Sequence, residues 1–584
     1  FGSMPFPPVG DLPYFVTLGP HGFYWFSLES EPATEHAQWP LVEIDGPWES
    51  VFDDPACRRL EELFPAYLVS RRWFGSKSRR IRSTVLTDVV PVGGTGHRGG
   101  TVAQFAVVRV ELDSGAPESY NVPLAHATGE QAEELRRWHA DSILAETRSA
   151  SGAGVLYDAA MAPGFAWALL ELLGRRRSLV GTGARLLGVP APRFRALAHD
   201  IGPETPAVPL SVEQSNTSIV FGDRAILKLV RRAEPGVNPG LELERFLGDQ
   251  NRFANAPRSG GSVELVSNGP GAPSMTVAMV EELVANEGDG SSYVVDALTR
   301  SLEETLATPD AEHLRDMPRG DLLEAASQPV EPGHVLVGPH LEWASLLGRR
   351  TGELHRALAS DTRDPSFSPE PLTPLDRQSL YHGARSQVRR TSRLVAAAAG
   401  GSEAVTEVVE RSDEIVQRLR RITTIRMEGW RIRVHGDFHL GQVLWTGKDF
   451  YIIDFEGEPN RSLGQRRLKR PPAFDLAGMV RSFHYAARAA AQRVEHDLSG
   501  YPGASIDGWL RVWHRWVSGT FLAAYLDVVE GTGLLPRDRE ASSALLEFFM
   551  LEKAVYELGY EVNSRPDWVD IPARGILEIL DVHQ

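Results

Sequence analysis

The spacing of apolar positions changes along the chain and divides it into stretches of different character. Residues 11–28, DLPYFVTLGPHGFYWFSL, hold two aromatic β-prone runs about a Gly-Pro-His-Gly turn, the pattern of a hairpin. A lone hairpin is marginal, so Phe15, Phe23, Trp25 and Phe26 need a further surface to cover them. Residues 29–49 are polar and proline-bearing and read as a linker, leaving 1–28 as a hairpin tail. Between 50 and 205 an amphipathic helix (Cys57 to Leu68) precedes β-rich runs such as STVLTDVVPV, VAQFAVVRVEL and ESYNVPL, with a helix at AWALLELL. No catalytic constellation stands out in that segment. Residues 206–285 turn to short strands, SIVF, AILKLV and SMTVAMVEEL, around one helix, NPGLELERFLGD, with Pro near its start. From 286 to 584 helical periodicity dominates, broken by the proline-rich TRDPSFSPEPLTP and by a strand-rich island at 430–455.

Composition narrows the classes. The 584 residues are 42% hydrophobic and 24% charged, which is ordinary for globular domains with large cores. Formal charge is 61 − 77 = −16, which argues against a nucleic-acid partner, since phosphate backbones need a basic face. A single cysteine, Cys57, excludes an internal disulfide and fits a reducing, cytoplasmic setting. No apolar run approaches the ~18 residues of a membrane helix, and no signal peptide is evident.

The island at 430–455 opens the segment that carries the candidate chemistry. RVHGDFHLGQVLWTGKDFYIIDFEGEP (433–459) reads strand, polar loop, strand, turn, strand, and projects Asp437, Gln442 and Asp454 from one platform. Phosphoryl transfer asks a protein to orient the acceptor hydroxyl, hold the triphosphate and neutralise developing charge. Asp437 at the loop tip suits a base. Asp454 at a strand end can bridge a metal to phosphate, and the Gln442 amide oxygen can join it. Magnesium takes hard oxygen ligands and keeps waters, so two protein ligands suffice. The order and spacing match the catalytic Asp, the following amide and the later metal-binding Asp of protein kinases. Taken singly, HGD and DFE can equally be turn-capping polar residues; in this order the catalytic reading is the stronger.

Lys228 lies in the apolar strand AILKLV, where an unpaired ammonium is costly. Glu242, early in the next helix, is the matching carboxylate. A water-facing edge lysine and a helix-dipole acid are the other readings of this pair. Upstream, Ser215, Asn216, Thr217 and Ser218 stand where a phosphate-covering hairpin would carry glycines, so their side chains can donate instead.

The segments HGDFHLGQVLW, IIDFEGEP, DLAGMVRSFHYAA and LEKAVYELGYEVNSRPDWVDIP, with RRWFGSKSR, EQSNTSIVFGDRAILKL, MVEELVANEGDG and LGRRTGELHRALA, resemble actinobacterial maltokinases, which phosphorylate maltose at its anomeric hydroxyl using ATP. The resemblance spans residues 50 to 575. It implies an α+β, bilobal, protein-kinase-like fold of the aminoglycoside-phosphotransferase type: an N-terminal cap over 50–205, an N-lobe over 206–285 and a mainly helical C-lobe over 286–584. It implies Asp437 as base, Gln442 and Asp454 as Mg2+ ligands, Lys228 as the ATP-phosphate lysine, and backbone from Glu281 to Leu283 as the adenine hinge.

For the sugar, the helix LEKAVYELGYEVN places Leu551, Val555, Leu558 and Val562 on one core stripe, and Glu552, Tyr556 and Tyr560, with Lys553 beyond, on a second. A solvated helix edge has the same pattern; the resemblance assigns the second stripe to the disaccharide. Asp475 caps its helix or braces the catalytic loop. The resemblance puts Arg481 on the acceptor side, His439 steadies the loop, and His484 stands where the family more often has an acid. The opening segment PFPPVGDLPYFVTLGPHGFYWFSL is similar to the end of trehalose synthase. That implies the kinase half of a fusion, with maltose as acceptor and glycogen-type α-glucan synthesis as destination. A kinase of the same fold acting on glucosamine is the second reading, because such kinases share the cap, the HGD and SFHYAA-like motifs. A non-catalytic scaffold for trehalose synthase is the third, and the presence of Lys228, Asp437 and Asp454 together stands against it.

Overall fold

A computed structural model describes residues 39–581, apart from 78, 94–100, 151, 200, 203, 211–214, 249–251, 270–273, 307–316, 319, 329–335, 399–401 and 496–502. The hairpin expected at 11–28 lies outside the described residues.

The cap holds β1 (Leu41–Ile44), α1 (Ala56–Ser70), β2 (Ile81–Gly93), β3 (Thr101–Leu112), β4 (Glu118–Asn121), β5 (Leu124–Thr128), α2 (Gly129–Trp138), β6 (Ile143–Ser149), β7 (Gly152–Asp158) and α3 (Pro163–Arg175). Its strands form one sheet in the order β1-β6-β7-β5-β3-β2, with β4 on β3. β1 falls inside the expected linker: Val42 and Ile44 alternate with exposed Glu43 and are buried, so the segment pairs in parallel with β6.

The N-lobe starts earlier than residue 206. β8 (Ser178–Val180) and β9 (Ala184–Pro190) belong to its sheet, followed by α4 (Phe194–Ala198), β10 (Ala207–Pro209), β11 (Asn216–Phe221), β12 (Ala225–Val230), α5 (Pro239–Gly248), β13 (Ser259–Ser267) and β14 (Ser274–Glu282). The order is β10-β11-β12-β14-β13-β9-β8, antiparallel throughout. α3 is apolar on nearly every side, as a helix covered on both faces must be: Phe165, Ala166, Leu169, Leu170 and Leu173 are all buried in one cluster with both sheets. The cap is therefore not a separate bead. The edge of β4 also pairs with the chain leaving β12, through Asn121 N–H to the Arg231 carbonyl (2.7 Å) and Ala233 N–H to the Ser119 carbonyl (2.8 Å).

The C-lobe comprises α6 (Gly290–Leu306), α7 (Leu322–Ala325), α8 (Gly338–Leu358), β15 (Glu370–Pro371), α9 (Pro374–Ala397), α10 (Glu403–Glu410), α11 (Ser412–Thr424), β16 (Trp430–Arg431), β17 (Val443–Trp445), β18 (Phe450–Ile452), α12 (Leu463–Arg466), α13 (Ala473–Glu495), α14 (Gly503–Val529), α15 (Arg539–Ser564) and α16 (Asp570–Asp581). One core runs through it and reaches Leu243 and Phe246 of α5, tying the lobes together. Thr373 caps α9 through a capping box with Asp376, which turns the proline-rich connection into a helix start. Among the described residues no helix is long and apolar enough to cross a membrane.

Candidate active site

Asp437 sits on a loop held by backbone geometry and one buried acid. Gly436 has φ +87°, a conformation that favours glycine. Asp475, 1% exposed in the first turn of α13, accepts the backbone N–H groups of His435 (2.8 Å) and Gly436 (3.0 Å), and its Oδ2 meets His355 Nε2 at 3.1 Å. Burial opposes its charge, but the His355 contact and these N–H donors hold its carboxyl below the usual range. His355 in turn meets Tyr525 OH at 3.0 Å, so α8 and α14 both steady the loop. The bracing reading of Asp475 therefore describes its contacts. α13 approaches closely because Gly478 has no side chain: a Cβ there would lie 2.5 Å from the Phe438 carbonyl oxygen.

His435 fixes the loop from the other side, facing the Ile453 carbonyl through Nε2 (2.9 Å) and accepting Asp437 N–H at Nδ1 (3.3 Å). His439 accepts Gly441 N–H at Nδ1 (3.1 Å), and its Nε2 lies 3.9 Å from Asp437 Oδ2. Burial lowers its pKa, which suits a loop-steadying imidazole.

The two expected metal ligands meet. Gln442 Nε2 donates to Asp454 Oδ2 at 3.1 Å, and Asp454 has φ +62°, a left-handed conformation strained for this residue type. This oxygen-bearing pair suits magnesium once the amide presents its oxygen. Among the described residues no cluster of three or more His, Cys, Asp or Glu forms a ready-made metal site.

On the opposite wall, Lys228 Nζ lies 2.5 Å from Glu281 Oε1. Burial disfavours its charge, but Glu281, Asp454 and Glu244 outweigh that and hold the ammonium above its ordinary range. Glu242 is not its partner. Residues two apart on a helix point to nearly opposite sides, and Glu242 turns to Arg433 (2.5 Å) and Arg467 (2.6 Å) while Glu244 turns inward. Glu244 is 2% exposed, and burial with the neighbouring Glu281 pushes its carboxyl well up. The sequence carried a signal for this: Glu244 falls on the buried stripe with Leu241 and Leu247, where an acid needs an internal partner.

β-alternation also divides the expected phosphate-loop residues. Ser218 lies opposite Lys228 in the ladder and shares its face. Asn216 shares that face and bonds the buried Glu456, and Ser215 lines a cavity beside it. Thr217 points the other way and accepts from buried Arg231 at 2.8 Å, so its hydroxyl is engaged away from the Lys228 face. The expected hinge falls at the end of β14. Glu281 spends its side chain on Lys228, and Leu283 N–H continues the sheet to the Arg224 carbonyl (2.9 Å), so that donor is engaged.

The acceptor side is narrower than the expected stripe. Lys553 Nζ stands 3.6 Å from Asp437 Oδ1 and 3.9 Å from Glu458 Oε1, and 5.3 Å over the Tyr556 ring. Tyr556 OH accepts from Asn460 (3.3 Å) and bonds Glu458; burial and the Glu458 charge push its pKa up to about 12. Glu552 is raised by burial despite Arg470 and Arg461 beside it. Tyr560 is 45% exposed, two turns along α15, and leaves the group. Arg481 also leaves it. The residue is 2% exposed and spends its guanidinium on Glu557 (3.0 and 2.9 Å) and His484 (3.1 Å), bracing α13 against α15. His484 is held neutral by burial and the Arg481 charge. Sequence reading missed Glu458, which follows DFE by two residues, and Arg461, which pairs with it at 2.5 Å.

Between two lobes, then, a loop carboxylate, a paired amide and carboxylate, and a half-buried lysine come together, in the arrangement expected of a phosphotransferase. Residues 67–161 match the family model described as the maltokinase N-terminal cap domain, and 296–512 match the phosphotransferase enzyme family. The chain is 25% identical over 373 residues to a glucosamine kinase of Mycolicibacterium smegmatis, covering 64% of this chain and 79% of that one. It is 24% identical over 371 residues to a glucosamine kinase of Streptacidiphilus jiangxiensis, covering 63% and 72%. A stretch of 33 residues is 58% identical to trehalose synthase of Pimelobacter sp. (strain R48), 6% of each chain. A solved glucosamine kinase in complex with glucosamine, ADP and inorganic phosphate superposes with TM-score 0.54 at 21% identity, over 89% of this chain and 99% of that one. Another glucosamine kinase crystal form gives 0.56 at 21%, over 88% and 97%. The protein has a bilobal, aminoglycoside-phosphotransferase-like kinase fold with a maltokinase-type cap and a mainly helical C-lobe, and that fold implies use of a nucleotide.

Proposed function

We propose that the protein transfers the γ-phosphate of ATP to a hydroxyl of a small sugar. The observation that carries this reading is the convergence of Asp437, the Gln442–Asp454 pair and Lys228 within one interlobe cleft. Asp437 accepts the hydroxyl proton while Asp475 and His435 keep its loop from yielding. Lys228 neutralises phosphate charge after leaving Glu281. Gln442 and Asp454 would hold magnesium, which supplies charge neutralisation on the phosphates when bound. Lys553, Tyr556 and Glu458 orient the acceptor, with an aromatic face beside charged hydrogen-bonding groups.

Two acceptors are in play. Glucosamine is favoured by the two relatives of that name, which align with 64% and 63% of this chain. Maltose is supported by the maltokinase-type cap and by the short trehalose synthase-like stretch, which keeps a fused or docked trehalose synthase as candidate partner. ATP and magnesium supplied with glucosamine, maltose or glucose separate them by ADP release and by the mass of the phosphorylated sugar. Release with glucosamine alone sinks the maltose reading, and release with none sinks the sugar-kinase reading.

A further inference from the structure

Within the C-lobe, α7, α13, α14, α15 and α16 surround a cavity of about 270 Å³, and none of Lys228, Asp437, Gln442, Asp454 or Lys553 lines it. We infer that this cavity is a binding site for a small monocarboxylate with an apolar body, its carboxylate seated on Arg511 and Arg515 of α14. The site goes beyond the kinase reading and does not rest on it.

The charge of the wall comes out positive once each acid is followed to its partner. Glu547 pairs with Arg418 (3.4 Å) and Arg421 (3.0 Å), and Asp581 pairs with Arg411 (2.8 Å). Asp321 lies 3.9 Å from Arg539 and accepts from Ser543. All four of those arginines stand outside the cavity, as does Glu557, which answers Arg481 at 2.9 Å. Arg511 and Arg515 are left facing Glu578, so two guanidinium charges meet at most one carboxylate. An added anion is therefore favoured there, and an added ammonium is not.

The same three groups have hydrogen-bonding capacity to spare. Arg515 donates from Nε to the Pro318 carbonyl (3.3 Å) and from Nη2 to the Gly320 carbonyl, which fixes the guanidinium and leaves Nη1 without a partner among the described residues. Arg511 is exposed and makes no hydrogen bond or close ion pair with any described residue. Glu578 makes no hydrogen bond either, and the His484 imidazole, neutral through burial, is 4.0 Å away. Burial pushes the Glu578 carboxyl up toward its protonated form, against the pull of Arg511, Arg481 and Arg515. A protonated carboxyl donates as a guanidinium does. Three donors thus converge where a carboxylate can accept from charged groups.

The rest of the wall is apolar. Leu323, Leu546 and Met550 are buried and Ile579 joins them, so a hydrocarbon body loses its contact with water on entering. α16 closes over this space because residue 575 is glycine: any side chain there would collide with the Arg481 guanidinium. The volume lies just under the ~300–1,000 Å³ of drug-sized sites, which suits one ring or a short chain behind a single charged head.

Titration calorimetry on the full chain with phenylacetate and its uncharged amide, phenylacetamide, tests the site. Phenylacetate should bind saturably with a Kd of about 1 mM or tighter, and the amide at least about tenfold more weakly. Arg511→Ala should weaken phenylacetate about tenfold, as expected for the loss of one charged hydrogen bond, with the melting temperature kept because the side chain is exposed. Arg511→Lys, which retains the charge, should recover most of that loss. Saturating ADP with magnesium should leave phenylacetate affinity unchanged, and amide exchange should slow over 546–550 and 575–579 when it binds. No saturable binding by about 10 mM, equal affinity for acid and amide, or full affinity in Arg511→Ala would each overturn the site. Displacement by ADP, or protection at 433–459 instead, would place the ligand in the cleft and overturn it equally. Failure here leaves the kinase reading untouched, because these isotherms do not depend on turnover.

Discussion

The two walls of the cleft each carry a half-buried lysine among carboxylates, and they hold it differently. Lys228 is locked: it contacts Glu281 at 2.5 Å and feels Asp454 and Glu244 as well. Lys553 stands off, 3.6 Å from Asp437 and 3.9 Å from Glu458, over an aromatic ring. The phosphate wall therefore carries an excess of carboxylates that a cation and Lys228 must answer. The acceptor wall is nearer balance and leaves room between base and lysine for a hydroxyl. On the proposed function, the charge excess would mark where phosphate and metal meet, and the gap where the sugar enters.

Lys228→Met tests the locked side and should produce the largest change of this set, a drop of about 10²–10³-fold in kcat/KM for ATP, the usual range for removing one preorganised charge donor. Steady-state kinetics at saturating sugar reads it, and a change under threefold would remove Lys228 from the phosphate site. Lys553→Met should instead raise KM for the sugar about tenfold with a smaller effect on ATP. A loss confined to ATP would merge the two walls into one function.

Glu242 and Glu244 sharpen the contrast further. Glu242→Ala leaves Arg433 buried without its carboxylate, so denaturant unfolding should show a loss of about 3 kcal/mol with ATP kinetics nearly intact. Glu244→Gln should cost little stability, since its carboxyl is already held toward the protonated form, and a shift in the ATP KM would read only the charge it still presents to Lys228. An unchanged ATP KM in Glu244→Gln would show that Lys228 does not depend on α5.

The smallest effect is a pH trend in stability. His340 and His514 are buried with pKa values lowered to about 4 by desolvation. The unfolded chain takes up these protons near pH 6.5 and the folded chain does not until about pH 4. More protons bind the unfolded state in that window, so stability falls as pH drops through it. The melting temperature should decline from pH 7 to pH 4.5, and His340→Gln should flatten the decline.

The candidate segment at 433–459 was legible because its contacts are local. Asp437, Gln442 and Asp454 lie within 18 residues, on a loop and strand ends, and Gln442 and Asp454 meet as their spacing suggests. The strands carrying Ser218 and Lys228 and the core stripe of Leu551, Val555 and Leu558 followed from periodicity in the same way. What stayed hidden depended on contacts distant in sequence. Glu242 was read as the partner of Lys228 because both of its own partners, Arg433 and Arg467, lie roughly two hundred residues downstream. Thr217 was read as a phosphate donor because its side of the sheet is set by Arg231 and the cap. β1 passed for linker because only its pairing with β6, about a hundred residues away, makes it a strand. Arg481 and Tyr560 have the right residue types on helices near the site, and only packing shows one buried and the other exposed.

Sugar-dependent ADP release by the unaltered chain and by Asp437→Asn, measured side by side with ATP affinity, tests the placement of the base most directly. The placement predicts a fall of about 10²–10⁴-fold in turnover with ATP binding retained and the fold intact by melting temperature. Turnover within a few-fold of the unaltered protein would contradict it, because no other carboxylate lies on the loop that Asp475 and His435 hold in place.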